Sequence, residues 1–133
     1  QVSPVWSTQP QPLPTHTEPQ PWFLNAVVQA QSTLSASNLL AYCLLGEQHL
    51  GRNRRLSAHT GARCIDIDLL DVSGCLLQYS YLTLPHPRMH QRRFVLYPLA
   101  HIAPHWVHPY YGQTAWQLAQ TAEPYTIEPY GML

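Results

Sequence analysis

The apolar positions of this chain change period several times, and each change marks an element. In Trp22–Gln31, Phe23, Asn25, Val27 and Gln29 fall on one side and Leu24, Ala26, Val28 and Ala30 on the other, which predicts a strand. Gln1–Thr8 reads as a shorter strand whose Pro4 cannot donate to a ladder, so it is expected at an edge or on a bulge. From Ser35 the spacing lengthens: Leu39, Leu40, Tyr42, Cys43, Leu44 and Leu50 form the broad apolar face of a helix. Ser35 is its expected N-cap, and it should end near Gly51 with His49 in the last turn. Cys64–Leu70 is apolar, β-branched and too short for a helix, hence a strand. Ser73-Gly74 predicts a turn, then short strands over Cys75–Tyr79 and Tyr81–Leu84 that Pro85-His86-Pro87 stops. Met89–Ala103 is predicted as a helix with Phe94, Val95, Leu96, Leu99 and Ile102 in the core, kinked or restarted at Pro98. Within the tail, Pro109–Leu133, a short helix is expected around Thr114–Thr121; the Pro- and Tyr-rich end is either disordered or packed on the sheet.

Composition changes this picture in three places. A length of 133 residues with 45% hydrophobic content describes one globular domain with a small core. Five of its prolines fall in Gln9–Pro21, which excludes helix and central strand and predicts a stiff loop. Three cysteines, Cys43, Cys64 and Cys75, without CxxC spacing, point to buried thiols in a reducing compartment. With no charged-then-apolar leader and no apolar run of membrane-spanning length, a cytoplasmic location is expected and no membrane partner. The start at Gln1, directly in a strand-like run, reads as a fragment.

Charge is the more telling feature. Lysine is absent, and the seven arginines (Arg52, Arg54, Arg55, Arg63, Arg88, Arg92, Arg93) all lie between Arg52 and Arg93. Against Asp66, Asp68 and Asp71 they leave that window at +4, offset by Glu18, Glu47, Glu123 and Glu128 elsewhere. Guanidinium forks match phosphate oxygens bidentately, so the cluster suits a polyphosphate. In the Cys64–Leu70 strand, side chains two apart share a face, so Asp66 and Asp68 project together while Ile65 and Ile67 turn to the core. Two carboxylates this close repel unless a cation lies between them, and a hard ion such as Mg²⁺ takes oxygen ligands of this kind. The other reading is a half-buried strand with a solvated acidic face. Gly51 and Gly61 bracket the arginine loop, residues 51–62, as hinges. Asn25, polar within an apolar run, needs a partner for its amide: a ligand edge that offers both a donor and an acceptor, or neighbouring backbone. Glu47 is either an orienting partner for an arginine or part of a solvated helix face. The spacing of His101, His105 and His108 suits a helix face, but Pro104 and Pro109 break it, so a metal role is not expected. Overall neutrality and the lack of a recognised module argue against nucleic-acid binding.

Four runs in order, FLNAVV at Phe23–Val28, GEQHLGRNRR at Gly46–Arg55, GARCIDIDLL at Gly61–Leu70 and LTLPHPRMHQRRFVLYPLAHIAP at Leu82–Pro104, resemble 6-hydroxymethyl-7,8-dihydropterin pyrophosphokinase of folate biosynthesis. The resemblance implies an α+β domain over 1–133, with a ferredoxin-like antiparallel sheet and helices packed on its faces. It implies transfer of pyrophosphate from ATP to the hydroxymethyl oxygen of the pterin, releasing AMP, by a monomer or weak dimer. Asp66 and Asp68 would then hold two Mg²⁺ ions with ATP as co-substrate, and Asp68 would be the base. Arg52, Arg54, Arg63 and Arg92 would meet the phosphates, with Arg52 and Arg63 catalytic; Thr83 and His86 would meet the nucleotide. Phe23, Asn25 and Phe94 would hold the pterin, and Gln9–Pro21 would close over it. The family's tryptophan-glycine-proline-arginine signature stands here as Thr60-Gly61-Ala62-Arg63, and Gln9–Pro21 is longer than usual. The family's first strand, ending in glycine-serine-asparagine, and the helix after it are not in this sequence. A non-catalytic pterin- or nucleotide-binding relic is therefore the alternative.

Overall fold

A prolyl nitrogen has no hydrogen to give, and the first sheet is shaped by that fact at Pro4. In the computed structural model, which describes residues 1–8, 23–51, 65–122 and 127–131, the chain forms two compact units, 1–31 with 87–133 and 32–86. In the first unit β1 (Val5–Thr8) lies between β2 (Phe23–Asn25) and β5 (Ile127–Gly131), all antiparallel. β1 is thus the middle strand rather than an edge, and of the two expectations raised by Pro4 it is the bulge-like irregularity that is found, in the pairing with β5 between Val5 and Trp6. Ahead of Pro4 the buried Ser3 hydroxyl accepts the Val27 N–H at 2.8 Å, and Val2 bridges Val28. The strand expected over Trp22–Gln31 is consequently split into β2 and a single bridge.

The tail supplies β5, with Thr8 opposite Ile127 and Trp6 opposite Pro129. Pro129 is tolerated there because β5 has no further neighbour among the described residues. A 3₁₀ turn, Met89–Gln91, leads into α2 (Arg93–Ile102), so the helix restarts at Arg92 and runs on through Pro98. Thr114 caps α3 (Ala115–Thr121) reciprocally with Gln117: each side chain accepts the other's backbone N–H, at 3.1 and 2.9 Å. Leu96 packs with Leu118, Ala119 and Ala122, flanked by Tyr97, Ala100 and Trp106. Leu96 and Leu99 are core as expected, whereas Phe94, Val95 and Ile102 are half-buried. His108, buried, uses Nδ1 to accept the N–H groups of Tyr110 and Tyr111, both at 3.1 Å, and so folds its own turn.

In the second unit α1 (Ala36–His49) begins at Ser35, whose Oγ accepts the Asn38 N–H at 3.2 Å, and ends before Gly51 at φ 96°. Ser73 (φ 52°) and Gly74 (φ 72°) make the predicted turn, closed by Cys75 N–H to Val72 O at 3.0 Å. The hairpin of β3 (Leu77–Gln78) and β4 (Thr83–Leu84) follows. Antiparallel strands with separate helices make the chain α+β. The described strands form a three-stranded and a two-stranded sheet. No described helix is long and apolar enough to cross a membrane.

Gly46 lies inside α1, where a Cβ would sit 3.8 Å from Ile67 Cδ1, an ordinary contact. Gly46→Ala is therefore expected to raise stability by about 0.5–1 kcal/mol by removing unfolded-chain freedom, read as a higher denaturation midpoint.

Candidate active site

Exposure alternates along Ile65–Leu69: Asp66 and Asp68 are exposed, and Ile65, Ile67 and Leu69 are half-buried. The two carboxylates therefore share one side, with Cα atoms about 7 Å apart at extended spacing. The segment forms no ladder with another strand among the described residues, so it is not the paired strand the pattern predicted. Bonds outside any ladder hold it. Ile67 N–H donates to Glu47 Oε1 at 2.7 Å, and His86 N–H donates to Leu70 O at 2.8 Å. Asp71 accepts the Gly74 N–H at 3.2 Å through Oδ2, anchoring the turn that follows.

Glu47 is 1% exposed and the single fully buried residue of α1. The solvated helix face is thereby excluded. A signal was present in the sequence: Glu47 follows Leu40 by seven residues, Cys43 by four and Leu44 by three, so it lies on the apolar stripe. Burial, and secondarily the Glu47 carboxylate one turn away, push the Cys43 thiol above its ordinary range. Cys75 is exposed, contrary to the expectation of buried thiols. Alkylation at neutral pH, mapped by peptide mass, should modify Cys75 well before Cys43, because the thiolate is the reactive form.

Of the other residues singled out, Thr83 and His86 belong to this same unit, both half-buried, and the backbone of His86 is tied to the acidic segment at Leu70. Asn25, Phe23, Arg92 and Phe94 belong to the first unit. Asn25 Nδ2 donates to the hydroxyl of buried Thr8 at 3.2 Å, across the β1–β2 pair, rather than to backbone. That bond uses one amide hydrogen; among the described residues the second hydrogen and the carbonyl oxygen remain as a donor–acceptor pair. Phe23 is exposed on the same strand. The Arg92 guanidinium lies 5.3 Å from the centre of the Phe94 ring, a cation–π contact that holds both side chains together. Arg52, Arg54, Arg63 and the loops 9–21 and 52–62 lie outside the described residues.

The donor set tests which ion the pair suits. No group of three or more His, Cys, Asp or Glu side chains gathers among the described residues. Two exposed carboxylates make a poor cage for zinc or calcium, but fit Mg²⁺, which keeps water and phosphate oxygens as its remaining ligands.

Residues 1–104 match the family profile of 7,8-dihydro-6-hydroxymethylpterin-pyrophosphokinase (HPPK). The chain is 40% identical over 111 residues to the 2-amino-4-hydroxy-6-hydroxymethyldihydropteridine pyrophosphokinase of Synechocystis sp., covering 84% of this chain and 56% of the relative. To the protein of the same name from Methylorubrum extorquens it is 46% identical over 85 residues, covering 64% of this chain and 52% of the relative. To the folic acid synthesis protein fol1 of Schizosaccharomyces pombe it is 38% identical over 109 residues, covering 82% of this chain and 14% of that protein. The chain thus spans about half the length of these two bacterial relatives and a small part of the fission-yeast one.

Proposed function

The chain belongs to the 7,8-dihydro-6-hydroxymethylpterin-pyrophosphokinase family, and from that premise we propose that it transfers pyrophosphate from ATP to 6-hydroxymethyl-7,8-dihydropterin, releasing AMP, in tetrahydrofolate biosynthesis. The observation that carries this reading is the pair of exposed carboxylates, Asp66 and Asp68, on one side of a segment whose centre is fixed by a buried glutamate. In the reaction the hydroxymethyl oxygen attacks the β-phosphorus of ATP, the bond from that phosphorus to the α–β bridging oxygen breaks, and AMP leaves. Asp68 is assigned the hydroxyl proton.

Asp66 and Asp68 would hold two Mg²⁺ ions together with ATP. Bound there, magnesium supplies charge neutralisation across the phosphates and polarises their oxygens. Arg92, held against Phe94, is assigned to the phosphates together with Arg52, Arg54 and Arg63, since phosphoryl transfer depends chiefly on positioning and electrostatics. The free donor–acceptor pair of Asn25 matches a pterin edge, and Phe23 and Phe94 offer ring faces for stacking. Thr83 and His86 are assigned to the nucleotide. The same reading sets the reaction in the cytoplasm, with ATP and the pterin as partners, no nucleic acid or membrane, and the chain as a monomer or weak dimer.

The test is AMP release from ATP and 6-hydroxymethyl-7,8-dihydropterin with Mg²⁺, alongside calorimetry with the pterin alone. AMP and pyrophosphorylated pterin formed in equal amounts would support the transferase. Pterin binding without AMP would make the chain a binding relic, and neither would remove both readings.

A further inference from the structure

We propose that Glu47 is the positioning residue of the Asp66/Asp68 pair, acting through the backbone amide of Ile67. The inference rests on the reading of that pair as the Mg²⁺ site and adds how the pair is held in place.

A carboxylate at the buried face of a helix is costly unless its oxygens are hydrogen-bonded, and an apolar side chain would serve packing better. At Glu47 the buried oxygen is used: Oε1 accepts the Ile67 N–H at 2.7 Å, within the range of charge-assisted bonds. Ile67 stands between the two aspartates. Along an extended segment the N–H lies roughly perpendicular to the side-chain direction, and neighbours alternate in side. Fixing where this N–H points therefore fixes the side on which residues 66 and 68 emerge, and a one-residue slip would invert both. The Glu47 bond stands at the middle of the segment, with the His86–Leu70 bond at its end.

Reach and charge can be separated by two substitutions. Glu47→Gln keeps the acceptor at the same distance without the charge; Glu47→Asp keeps the charge and is one methylene too short. Both are titrated with Mg²⁺ on the full chain in the presence of a non-hydrolysable ATP analogue, following the backbone amide resonances of residues 65–70, with circular dichroism as the check of folding. Positioning predicts that E47D weakens Mg²⁺ binding by about tenfold or more, as loss of an orienting partner does around other metal sites. E47Q should stay within about threefold of the parent and keep the Ile67 amide protected from exchange, as expected if the acceptor and not the charge does the orienting. Unchanged Mg²⁺ affinity in folded E47D, or an equal loss in E47Q, would overturn the proposal and leave Glu47 with a structural or purely electrostatic role. Asp66→Asn is the separate control: if the parent shows no Mg²⁺-dependent shifts at 66–68, or D66N shows the same ones, the metal reading itself fails and Glu47's role falls with it.

Discussion

Asp66→Ala and Asp68→Ala are each expected to lower Mg²⁺-dependent AMP release by on the order of a thousandfold, the scale on which preorganised charge stabilisation is lost when one of its groups is removed. Thermal stability should change far less than activity, because both side chains are exposed. That combination, activity gone and fold intact, is what distinguishes a site from a solvated acidic face. Measured as AMP formed per enzyme with the melting midpoint alongside, either variant retaining more than a tenth of parental turnover would refute the assignment of the metal pair.

The opposite profile is expected at Leu96. Its side chain is fully buried against Leu118, Ala119 and Ala122, where small neighbours cannot swing in to fill a void. Leu96→Ala should cost about 3 kcal/mol, the transfer of the lost methylenes plus the cavity they leave. Against a typical domain stability of only about 5–15 kcal/mol this is a large fraction. Chemical denaturation read through tryptophan fluorescence should show a lower midpoint at unchanged slope, and any loss of AMP release should recover on cooling or at lower denaturant. A variant as stable as the parent would mean that α2 and α3 do not share the core described.

These two positions also mark what could be read from the sequence and what could not. Signals written in adjacent residues came through: Ser35 caps α1, Thr114 begins α3 and Ser73-Gly74 turns the chain, each by a bond to backbone within three residues. The shared side of Asp66 and Asp68 came through as well, since a period of two needs only an extended backbone. Long-range pairings did not. Nothing local tells that β1 is central, because its second partner arrives more than a hundred residues later in Ile127–Gly131. Glu47 is buried rather than solvated, and the Ile67 amide, twenty residues on, donates to its Oε1, a bond that no local pattern announces. For Asn25 the protein partner is not neighbouring backbone but the Thr8 hydroxyl, seventeen residues away. His101, His105 and His108 were weighed as one set, yet burial divides them: the first two are exposed and the third organises a turn.

The stretch that follows the family match bears on how this protein can be cut. The profile ends at residue 104, but Leu118, Ala119 and Ala122 cover Leu96, and β5 lines one flank of β1. A piece excised at the profile's limit would carry a bare leucine and an open strand flank, the features that drive chains to stick to one another. Solubility, before any loss of chemistry, would be the first property to fail, and the C-terminal quarter is in that sense a cover for α2 and β1.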